Sequence, residues 1–403
     1  MNILLYVTGS ISCYKTYDIV RGLVKSGRNV KVTLSEGASK FIRPELFKYL
    51  GAKEVYGPSS DFDSGENFLH IELARWCDQF VVVPLSANTL SHLSLGLTKD
   101  LGTTTFLAMD SKKTKLFFPA MNTKMLSNPI IADHTKRLKS LVGAHFFPTK
   151  SGTLACGEEG EGKLLDSDDV IELINTYPIN TRTEQKNILI VSGASLNPLD
   201  SVRYISNPAS GKTGKYLAQE FLSNGHNVTV VHGGSNQELF KPLINHPKIK
   251  ILKATTTRDF EEQVNQLFPL CDVYISSAAL SDIEFPENQG KLKKKNLGET
   301  IEIKKSPDVL KNVLKLKKSH QKIVGFAAEK NLDDDIIKEK LNSKPVDFLV
   351  ATEVSNGIQK ENHLKGFSLG EANYKLYEGF KVYHHGIMTK KALAKTIYQK
   401  VIQ

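Results

Sequence analysis

The stretch NILLYVTGSIS, residues 2–12, decides the fold, because it recurs as NILIVSGASLN at residues 187–197. Each stretch is an apolar run that ends at a glycine, which is the pattern of a buried parallel strand followed by a turn. Two later segments also recur in the same order. KSGRNVKVTLSEG is matched by SNGHNVTVVHGG, and WCDQFVVVPLSAN is matched by LCDVYISSAALSD. The chain therefore contains two copies of one strand-turn-helix-strand plan.

A polar segment, NTYPINTRTEQK at residues 175–186, separates the two copies. It contains Pro178 and has no apolar periodicity, so it is typical of a linker. We predict an α/β protein with two Rossmann-like doubly wound domains and mainly parallel sheets, at residues 1–180 and 187–403.

The two copies differ in the spacing of their first two strands. Asn2 to Asn29 covers 27 positions and Asn187 to Asn227 covers 40, so the second copy carries 13 extra residues. YISNPASGKTGKYL, residues 204–217, falls in this enlargement and ends like a P-loop. The glycine that should open a P-loop is replaced by a serine, so a P-loop is not indicated. Loops after strand ends bind ligands in such sheets, so a nucleotide site is still expected here.

Composition narrows the class of protein. Hydrophobic residues make up 40% and charged residues 24%, as in soluble globular proteins. The four cysteines form no C-x-x-C pair, no apolar run reaches membrane length, and the N-terminus lacks a signal-peptide pattern. We expect a cytoplasmic protein that contacts no membrane. The net charge of +10 fits nucleic acid or anionic small substrates, and we favour the substrates.

Candidate site residues occur in the first half. His70 precedes a predicted helix, and PAMNTKM, residues 119–125, follows a predicted strand. Cys156 lies between glycines in SGTLACGEEGEGKL, where a thiol is expected to be exposed and reactive. The first turn, residues 9–12, lacks G-x-G-x-x-G but can hold one phosphate on backbone N–H groups. This favours a mononucleotide over a dinucleotide.

Several motifs, taken together and in order, resemble a known family. GSISCYK, HIELARW, PAMNTKM and ACGEEGEGKL, in this order, resemble the flavin-dependent phosphopantothenoylcysteine decarboxylases. PLDSVRYISNPASGKTG with GFAAE resembles phosphopantothenate–cysteine ligase. The resemblance to bacterial bifunctional coenzyme A biosynthesis enzymes is nearly end to end. It implies CTP- and Mg²⁺-dependent joining of 4′-phosphopantothenate to L-cysteine through an acyl-cytidylate. FMN-dependent oxidative decarboxylation of phosphopantothenoylcysteine to 4′-phosphopantetheine would follow.

For the first domain, the resemblance implies roles for individual residues. His70 would assist the oxidative decarboxylation, and Asn122 would orient the carboxylate that leaves. Met125 would close the pocket, and Cys156 would donate the proton that lets reduced flavin return its electrons. FMN would be bound by Gly9, Ser10, Ser12, Ser35, Ser86, Asn88 and Met121. This chain departs from the family at Lys99, where an asparagine is common.

For the second domain, the resemblance implies that Asn207 and Arg203 bind the acyl-phosphate. Asp282 would contact nucleotide or metal. The Lys-rich loop GKLKKK, residues 290–295, would supply cations for the triphosphate. Lys291 would be the main one, and Lys293 and Lys294 would be further ones. The remaining nucleotide contacts would be Ser210, Gly211, Lys212, Phe326, Ala327, Ala328 and Glu329. The last four lie in GFAAE, residues 325–329, which we expect to follow a buried strand at residues 322–324. Thr352-Glu353 stands where the family often has Asn-Asp.

Two other functions stay open from the sequence. One is a flavin prenyltransferase-like flavoprotein fused to a ligase-like domain, and the other is a non-catalytic regulatory flavoprotein. The family resemblance also implies a homo-oligomer, with a trimeric first domain, a dimeric second domain and a dodecamer overall. No nucleic-acid partner is expected.

Overall fold

The computed structural model describes residues 1–60, 68–179, 184–234, 236, 238–286, 300–354 and 370–402. The predicted Lys291, Lys293 and Lys294 lie outside these residues. The chain divides into two compact units, residues 1–182 and 183–403. Within the described ranges, no helix is both long and apolar enough to cross a membrane.

The first unit is built on a parallel sheet with the strand order β3-β2-β1-β4-β5-β6 in its described part. The strands are β1 (Asn2–Val7), β2 (Asn29–Leu34), β3 (Glu54–Tyr56), β4 (Gln79–Leu85), β5 (Thr114–Pro119) and β6 (His145–Phe146). This order reverses between β1 and β4, as in doubly wound folds, so ligands are expected at the carboxyl ends of these strands.

Helices cover both faces of this sheet because β1 is apolar on both sides. Ile3, Leu5 and Val7 pack into one hydrophobic core, and Leu4 and Tyr6 pack into another. The helices are α1 (Lys15–Lys25), α2 (Glu36–Ser39), α3 (Glu45–Tyr49), α4 (Leu69–Trp76), α5 (Ala87–Leu95), α6 (Leu101–Ala108), α7 (Thr123–Leu126), α8 (Pro129–Val142) and α9 (Ser167–Thr176). A 3₁₀ helix, Ile11–Tyr14, leads into α1.

A two-stranded antiparallel ribbon projects from this unit. Its strands are β7 (Lys150–Thr153) and β8 (Glu159–Lys163), and Cys156 lies in the turn between them. The predicted Gly-rich loop is therefore the tip of a hydrogen-bonded ribbon. We call residues 150–163 the flap.

The second unit repeats the plan of the first. Its described sheet has the order β13-β12-β9-β14-β17-β18-β19-β20, in which β19 and β20 form an antiparallel extension. These strands are β9 (Asn187–Ser192), β12 (Asn227–His232), β13 (Ile249–Lys253), β14 (Val273–Ser276), β17 (Lys322–Glu329), β18 (Phe348–Glu353), β19 (Glu371–Glu378) and β20 (Lys381–Thr389). The first six places in the order match those of the first sheet, which confirms the predicted fold class.

Two short ribbons and five helices complete the described part of this unit. The ribbons pair β10 (Leu196–Pro198) with β11 (Tyr204–Ser206), and β15 (Ile283–Glu284) with β16 (Lys304–Lys305). The helices are α10 (Lys212–Ser223), α11 (Thr257–Leu267), α12 (Val309–Leu316), α13 (Asp334–Ser343) and α14 (Lys390–Ile402), with 3₁₀ helices at Lys241–Leu243 and Phe268–Leu270. The ribbon β10–β11 occupies the enlargement predicted from the spacing of the two copies.

Each sheet has the same pattern of side-chain hydrogen bonds at the amino ends of its own strands. In the first, Asn29 Nδ2 donates to Asn2 Oδ1 at 2.9 Å, and the Asp78 carboxylate accepts the Asn2 backbone N–H at 2.7 Å. The second repeats both bonds, at 3.0 and 2.7 Å, with Asn187, Asn227 and Asp272. The repeat seen in the sequence therefore extends to hydrogen-bonding side chains.

One local expectation is wrong. GFAAE, residues 325–329, was expected to follow a short strand, but it lies inside β17. The strand continues because β18 pairs with it along its length, out to Glu329 opposite Glu353. The segment therefore lines its surroundings as extended strand.

Candidate active sites

The first unit has a cavity of about 440 Å³ at the carboxyl ends of its central strands. Three serines on its wall, Ser10, Ser35 and Ser86, begin helical turns. Their hydroxyls accept backbone N–H groups at 3.4, 3.1 and 3.3 Å respectively. Serine favours such cap positions because its side chain satisfies an N–H that the helix leaves without a partner. The cavity wall thus carries hydroxyls and the amino ends of helical turns, a surface suited to an anionic ligand.

Glycines let two of these loops approach closely. A Cβ on Gly9 would lie 3.0 Å from Gly37 Cα, and a Cβ on Gly37 would lie 3.1 Å from Gly9 Cα. Larger residues at either position would push the loops apart. The space between the serine caps therefore depends on this contact.

The far wall of the cavity is polar and charged. The Tyr6 hydroxyl donates to Asp100 at 2.7 Å, and Asp100 accepts the Thr103 backbone N–H at 2.9 Å as the cap of α6. Burial, and then the charge of Asp100, raises the pKa of Tyr6 well above its usual value. Lys99, the position at which this chain departs from the family pattern, also lines the cavity.

A second cavity, of about 600 Å³, lies under the flap. Asn122 Nδ2 lies 3.4 Å from Cys156 Sγ and 3.2 Å from Glu158 Oε2. Cys156 is exposed, and its Sγ lies 3.7 Å from the same carboxylate oxygen. Ser10 and Met121 line both cavities. The Cys156 thiol and the Asn122 amide therefore face a space that adjoins the first cavity.

Two hydrogen bonds hold the flap against the PAMN turn. The Met121 N–H donates to Gly162 O at 3.1 Å, and Thr123 Oγ1 donates to Glu161 O at 2.5 Å. Gly162 has φ of +137°, and a Cβ there would lie 2.0 Å from Met121 O. Only glycine permits this approach, which brings Asn122 and Cys156 together.

The predicted residues of the first unit are distributed between these cavities. Six predicted cofactor residues line the first cavity: Gly9, Ser10, Ser35, Ser86, Asn88 and Met121. The predicted Met125 also lines it, whereas Ser12 lines the second cavity. His70 is the second residue of α4 and half-buried, and it is not among the described residues lining either cavity. A single chain therefore brings Asn122 and Cys156 together, but not His70.

The second unit has a cavity of about 450 Å³ at the carboxyl ends of β14, β17 and β18. The predicted residues that line it are Asn207, Ser210, Gly211, Lys212, Asp282, Phe326, Ala327 and Ala328. Asn207 Nδ2 donates to Ala279 O at 3.1 Å, which ties the loop before α10 to the loop after β14. Thr352, at another departure from the family pattern, also lines the cavity.

The loop that resembles a P-loop is held tightly against the sheet. Gly211 has φ of +74°, and a Cβ there would lie 2.7 Å from His232 Cε1. Ser192 Oγ donates to Gly211 O at 3.1 Å. The turn thereby places Lys212 at the first position of α10, on the cavity wall.

Two predicted residues lie away from the described lining of this cavity. Arg203 lies in the connection of ribbon β10–β11, where its Nη2 and Nε contact Asp200 Oδ2 at 2.6 and 3.0 Å. Glu329 forms an ion pair with Lys340, and it is Lys340 that lines the cavity. In the described residues, neither Arg203 nor Glu329 lines the cavity itself.

Lys340 and Lys390 are cavity residues that the sequence did not indicate. Lys390 is only 2% exposed, although it begins the C-terminal helix. Burial, and to a lesser degree the charge of Lys212, lowers the pKa of Lys390 to about 8. No sequence signal singles it out, because the exposed Lys391 lies in the same first turn of the helix.

The predicted metal contact rests on Asp282 alone. No group of three or more His, Cys, Asp or Glu residues able to hold a metal occurs within the described ranges. Mg²⁺ commonly binds through one or two carboxylates together with substrate phosphates, so a single carboxylate fits a metal carried in by a triphosphate.

Comparison with known proteins assigns both units to families. Residues 1–177 match the family model described as Flavoprotein, and residues 183–403 match the DNA/pantothenate metabolism flavoprotein C-terminal domain. The chain is 33% identical over 360 residues to the coenzyme A biosynthesis bifunctional protein CoaBC of Borreliella burgdorferi, covering 88% of this chain and 89% of that protein. It is 32% identical over 365 residues to the Bacillus subtilis CoaBC, covering 88% and 87% respectively.

The chain belongs to the CoaBC family of coenzyme A biosynthesis bifunctional proteins. This confirms the predicted family and the predicted bifunctional enzyme, ahead of the prenyltransferase-like and regulatory alternatives.

Solved structures of separate domains are also similar to parts of the chain. The C-terminal domain of CoaBC has a TM-score of 0.42 and 25% identity, covering 54% of this chain and 95% of that one. The FMN binding protein AtHal3 has a TM-score of 0.39 and 28% identity, covering 43% of this chain and 94% of that one. Both TM-scores are low, so the fold of this CoaBC member rests on the strand orders described above.

Proposed function

We propose that the second unit joins 4′-phosphopantothenate to L-cysteine at the expense of CTP, and that the first unit decarboxylates the phosphopantothenoylcysteine with FMN. The observation that carries the decarboxylase proposal is the contact of Asn122 with Cys156 beside the first cavity. The family supports both reactions.

FMN fits the residues of the first cavity. Its phosphate would be held at Ser10 and Ser35, where hydroxyls and backbone N–H groups meet and the Gly9–Gly37 contact keeps the loops compact. Ser12, which lines the adjoining cavity under the flap, stays a predicted contact. Asn88 and Met121 would contact the rest of the cofactor. When bound, FMN supplies the oxidation and later reduction that make loss of carbon dioxide from the cysteinyl group possible.

The flap residues would do the rest of the decarboxylation chemistry. The Asn122 amide would donate to the substrate carboxylate and orient it for loss, with Met125 closing the pocket. Cys156 would deliver its Sγ proton to the product carbon, since the thiol is exposed at the flap tip and faces the same space. The bonds between the flap and the PAMN turn would hold both groups at the distance that this transfer requires.

His70 would enter from a neighbouring copy of the chain. It does not line either cavity described for a single chain. Ile11, Tyr14, Phe68 and Met125 expose large apolar side chains near the cavities or beside His70, as a surface that packs against another copy would. This supports the predicted trimer of first domains. The predicted dimer of second domains and the dodecamer stay predictions.

The cavity of the second unit fits nucleotide-dependent activation of a carboxylate. A carboxylate is a poor electrophile, so its oxygen would attack the α-phosphorus of CTP and expel pyrophosphate. The cysteine amine would then attack the carbonyl carbon of the acyl-cytidylate and release CMP. Lys212, Lys340 and Lys390 would oppose phosphate charge, and Asp282 would hold Mg²⁺ on the triphosphate. Phe326, Ala327 and Ala328 would line the base.

Asn207 would bind the acyl-phosphate from the loop before α10, which its contact with Ala279 O ties to the loop after β14. The contact of Arg203 with the acyl-phosphate stays a prediction. Lys291, Lys293 and Lys294 stay predicted as further cations for the triphosphate. The cytoplasmic location stays a prediction.

The test is an assay with 4′-phosphopantothenate, L-cysteine, CTP and Mg²⁺ that follows pyrophosphate and carbon dioxide together. We expect both products, with ATP in place of CTP giving much slower turnover. Pyrophosphate without carbon dioxide would remove the decarboxylase proposal. Carbon dioxide from supplied phosphopantothenoylcysteine, without pyrophosphate in the full mixture, would remove the ligase proposal.

A further inference from the structure

We propose that the phosphate group of phosphopantothenoylcysteine binds at the base of the flap, where Lys163 and two further lysines line the cavity under it. This inference rests on the proposed decarboxylation and adds a subsite for the far end of the substrate. The reacting cysteinyl end would lie at the flap tip, beside Cys156.

The charges on the wall of this cavity are unbalanced. Its described lining contains the cations Lys15, Lys150 and Lys163 and one anion, Asp166, whereas the flap residues Glu158, Glu159 and Glu161 are not part of it. Hydrogen bonding to Lys150 lowers the pKa of Asp166, so this carboxylate is ionised at neutral pH. The lining therefore has an excess of two positive charges, close to the charge of about −1.5 to −2 on a phosphate monoester at pH 7.

Asp166 holds two of the three lysines at the base of the flap. Lys150 Nζ forms an ion pair with its Oδ2, and Lys15 Nζ lies 3.6 Å from its Oδ1. Lys15 also donates to the backbone oxygens of Leu164 and Leu165, at 3.4 Å each. One carboxylate therefore positions two ammonium groups near the end of β8.

Lys163 adds the third ammonium group from β8 itself. It stands opposite Lys150 in the ribbon. Its side chain lies over Gly152 of β7, where a Cβ would be 3.3 Å from Lys163 Nζ. The glycine leaves room for this ammonium group beside the other two, so that a phosphate could accept hydrogen bonds from more than one of them.

The length of the flap matches the length of the substrate. β8 has five residues, so at about 3.4 Å per residue it spans roughly 14 Å between the tip and the base. An extended chain advances about 3.5 Å for every three bonds, and about eleven bonds join the phosphorus of the substrate to its cysteinyl α-carbon, which gives roughly 13 Å. A substrate with one end at Cys156 can therefore place its phosphate among the lysines.

The wall between these two ends suits the middle of the substrate. Ser151 and Thr153 bring hydroxyls to the cavity, and Leu154 and Ala155 bring apolar surface. The pantothenoyl arm carries the same mixture, because it contains amides, a hydroxyl and methyl groups. The cavity under the flap can therefore accommodate the whole substrate.

The experiment compares phosphopantothenoylcysteine with pantothenoylcysteine, which lacks the phosphate, in the FMN-loaded full chain. Loss of one charge-assisted hydrogen bond predicts that Lys163→Met lowers kcat/KM for the phosphorylated substrate by about 10- to 100-fold. Its kcat/KM for pantothenoylcysteine should stay close to that of the wild type. Lys163→Arg should keep most of the preference for the phosphorylated substrate, because it keeps the charge.

Lys124→Met is the matched control. Lys124 is an exposed lysine 3.8 Å from Glu158 Oε1, beside the flap tip, and is not in the described lining of the cavity. Its replacement removes the same charge from the other end of the flap, so the preference for the phosphorylated substrate should not change. Bound FMN per chain, measured by absorbance, should be the same in the wild type and in every variant.

The outcomes separate this inference from the proposed function. If the wild type releases carbon dioxide from neither substrate, the decarboxylase proposal fails. If the wild type is active but uses both substrates equally well, or if Lys163→Met keeps the wild-type preference, the phosphate subsite is wrong. An equal loss for both substrates or a loss of bound FMN in Lys163→Met would also overturn it, as would the same loss of preference in Lys124→Met.

Discussion

Gly162→Ala should uncouple the flap from the PAMN turn. Gly162 accepts the Met121 N–H at 3.1 Å, and its φ of +137° is one that alanine rarely adopts. The new Cβ would lie 2.0 Å from Met121 O, whereas ordinary contacts begin at 3.4 Å. The flap must therefore retreat by more than 1 Å from the turn that carries Asn122.

The cost can be worked out from these contacts. Backbone strain at this φ is worth roughly 1–3 kcal/mol, and the lost hydrogen bond is worth about 1 kcal/mol. A displacement of about 1 Å in a catalytic group costs on the order of 100-fold in rate. Asn122 Nδ2 and Cys156 Sγ start 3.4 Å apart, so they would lose contact. We expect decarboxylation to fall about 30- to 100-fold.

The assay is carbon dioxide release from supplied phosphopantothenoylcysteine, with pyrophosphate release as an internal control in the same protein. Gly157→Ala is the matched variant, because Gly157 is in the flap with φ of +86°, yet a Cβ there would meet nothing within 4 Å. Decarboxylation by Gly162→Ala within threefold of Gly157→Ala would refute the reasoning. So would an equal fall in both reactions, since that would indicate general unfolding.

Three further predictions follow from the described contacts. Cys156→Ser should abolish formation of 4′-phosphopantetheine while pyrophosphate release continues, and full turnover measured by mass spectrometry would contradict its role as proton donor. Asn207→Asp should accumulate acyl-cytidylate in a chemical quench, because the new carboxylate would repel the acyl-phosphate, and a normal amide yield would count against this. Burial lowers the pKa of His226 to about 4, from 6.5 in the unfolded chain, so the unfolded state binds more protons between these values. Stability should therefore fall by about 3 kcal/mol as pH drops from 6.5 to 4, and denaturant unfolding of His226→Gln should show a flatter pH profile; an identical profile would refute the assignment.

The fold could be predicted from the sequence because β1 and β9 are apolar on both faces and are followed by glycine turns. That pattern requires helices on both sides and leaves few strand orders. The ribbon β10–β11 was not readable, since strands of three residues carry too little alternation. GFAAE was expected to follow a strand at residues 322–324, but pairing with β18 extends β17 to Glu329.

The site was partly readable for a similar reason. Ser35 and Ser86 directly follow β2 and β4, and Ser10 lies three residues after β1, so the sheet brings the three serines together. Lys390 lies more than 170 positions after Lys212, and only the packing of α14 on α10 joins them. Among so many lysines, no local pattern marks the buried one.

The hydrogen bonds among Asn2, Asn29 and Asp78, and their counterparts in the second sheet, have a consequence for insertions. They fix strand registry at the edge opposite every proposed ligand. A change in loop length at the ligand edge is therefore not transmitted into the alignment of the strands. The second unit already accommodates 13 additional residues there without altering its strand order. One scaffold can in this way support two unrelated chemistries, and the ligand edge is where new segments can be grafted onto it.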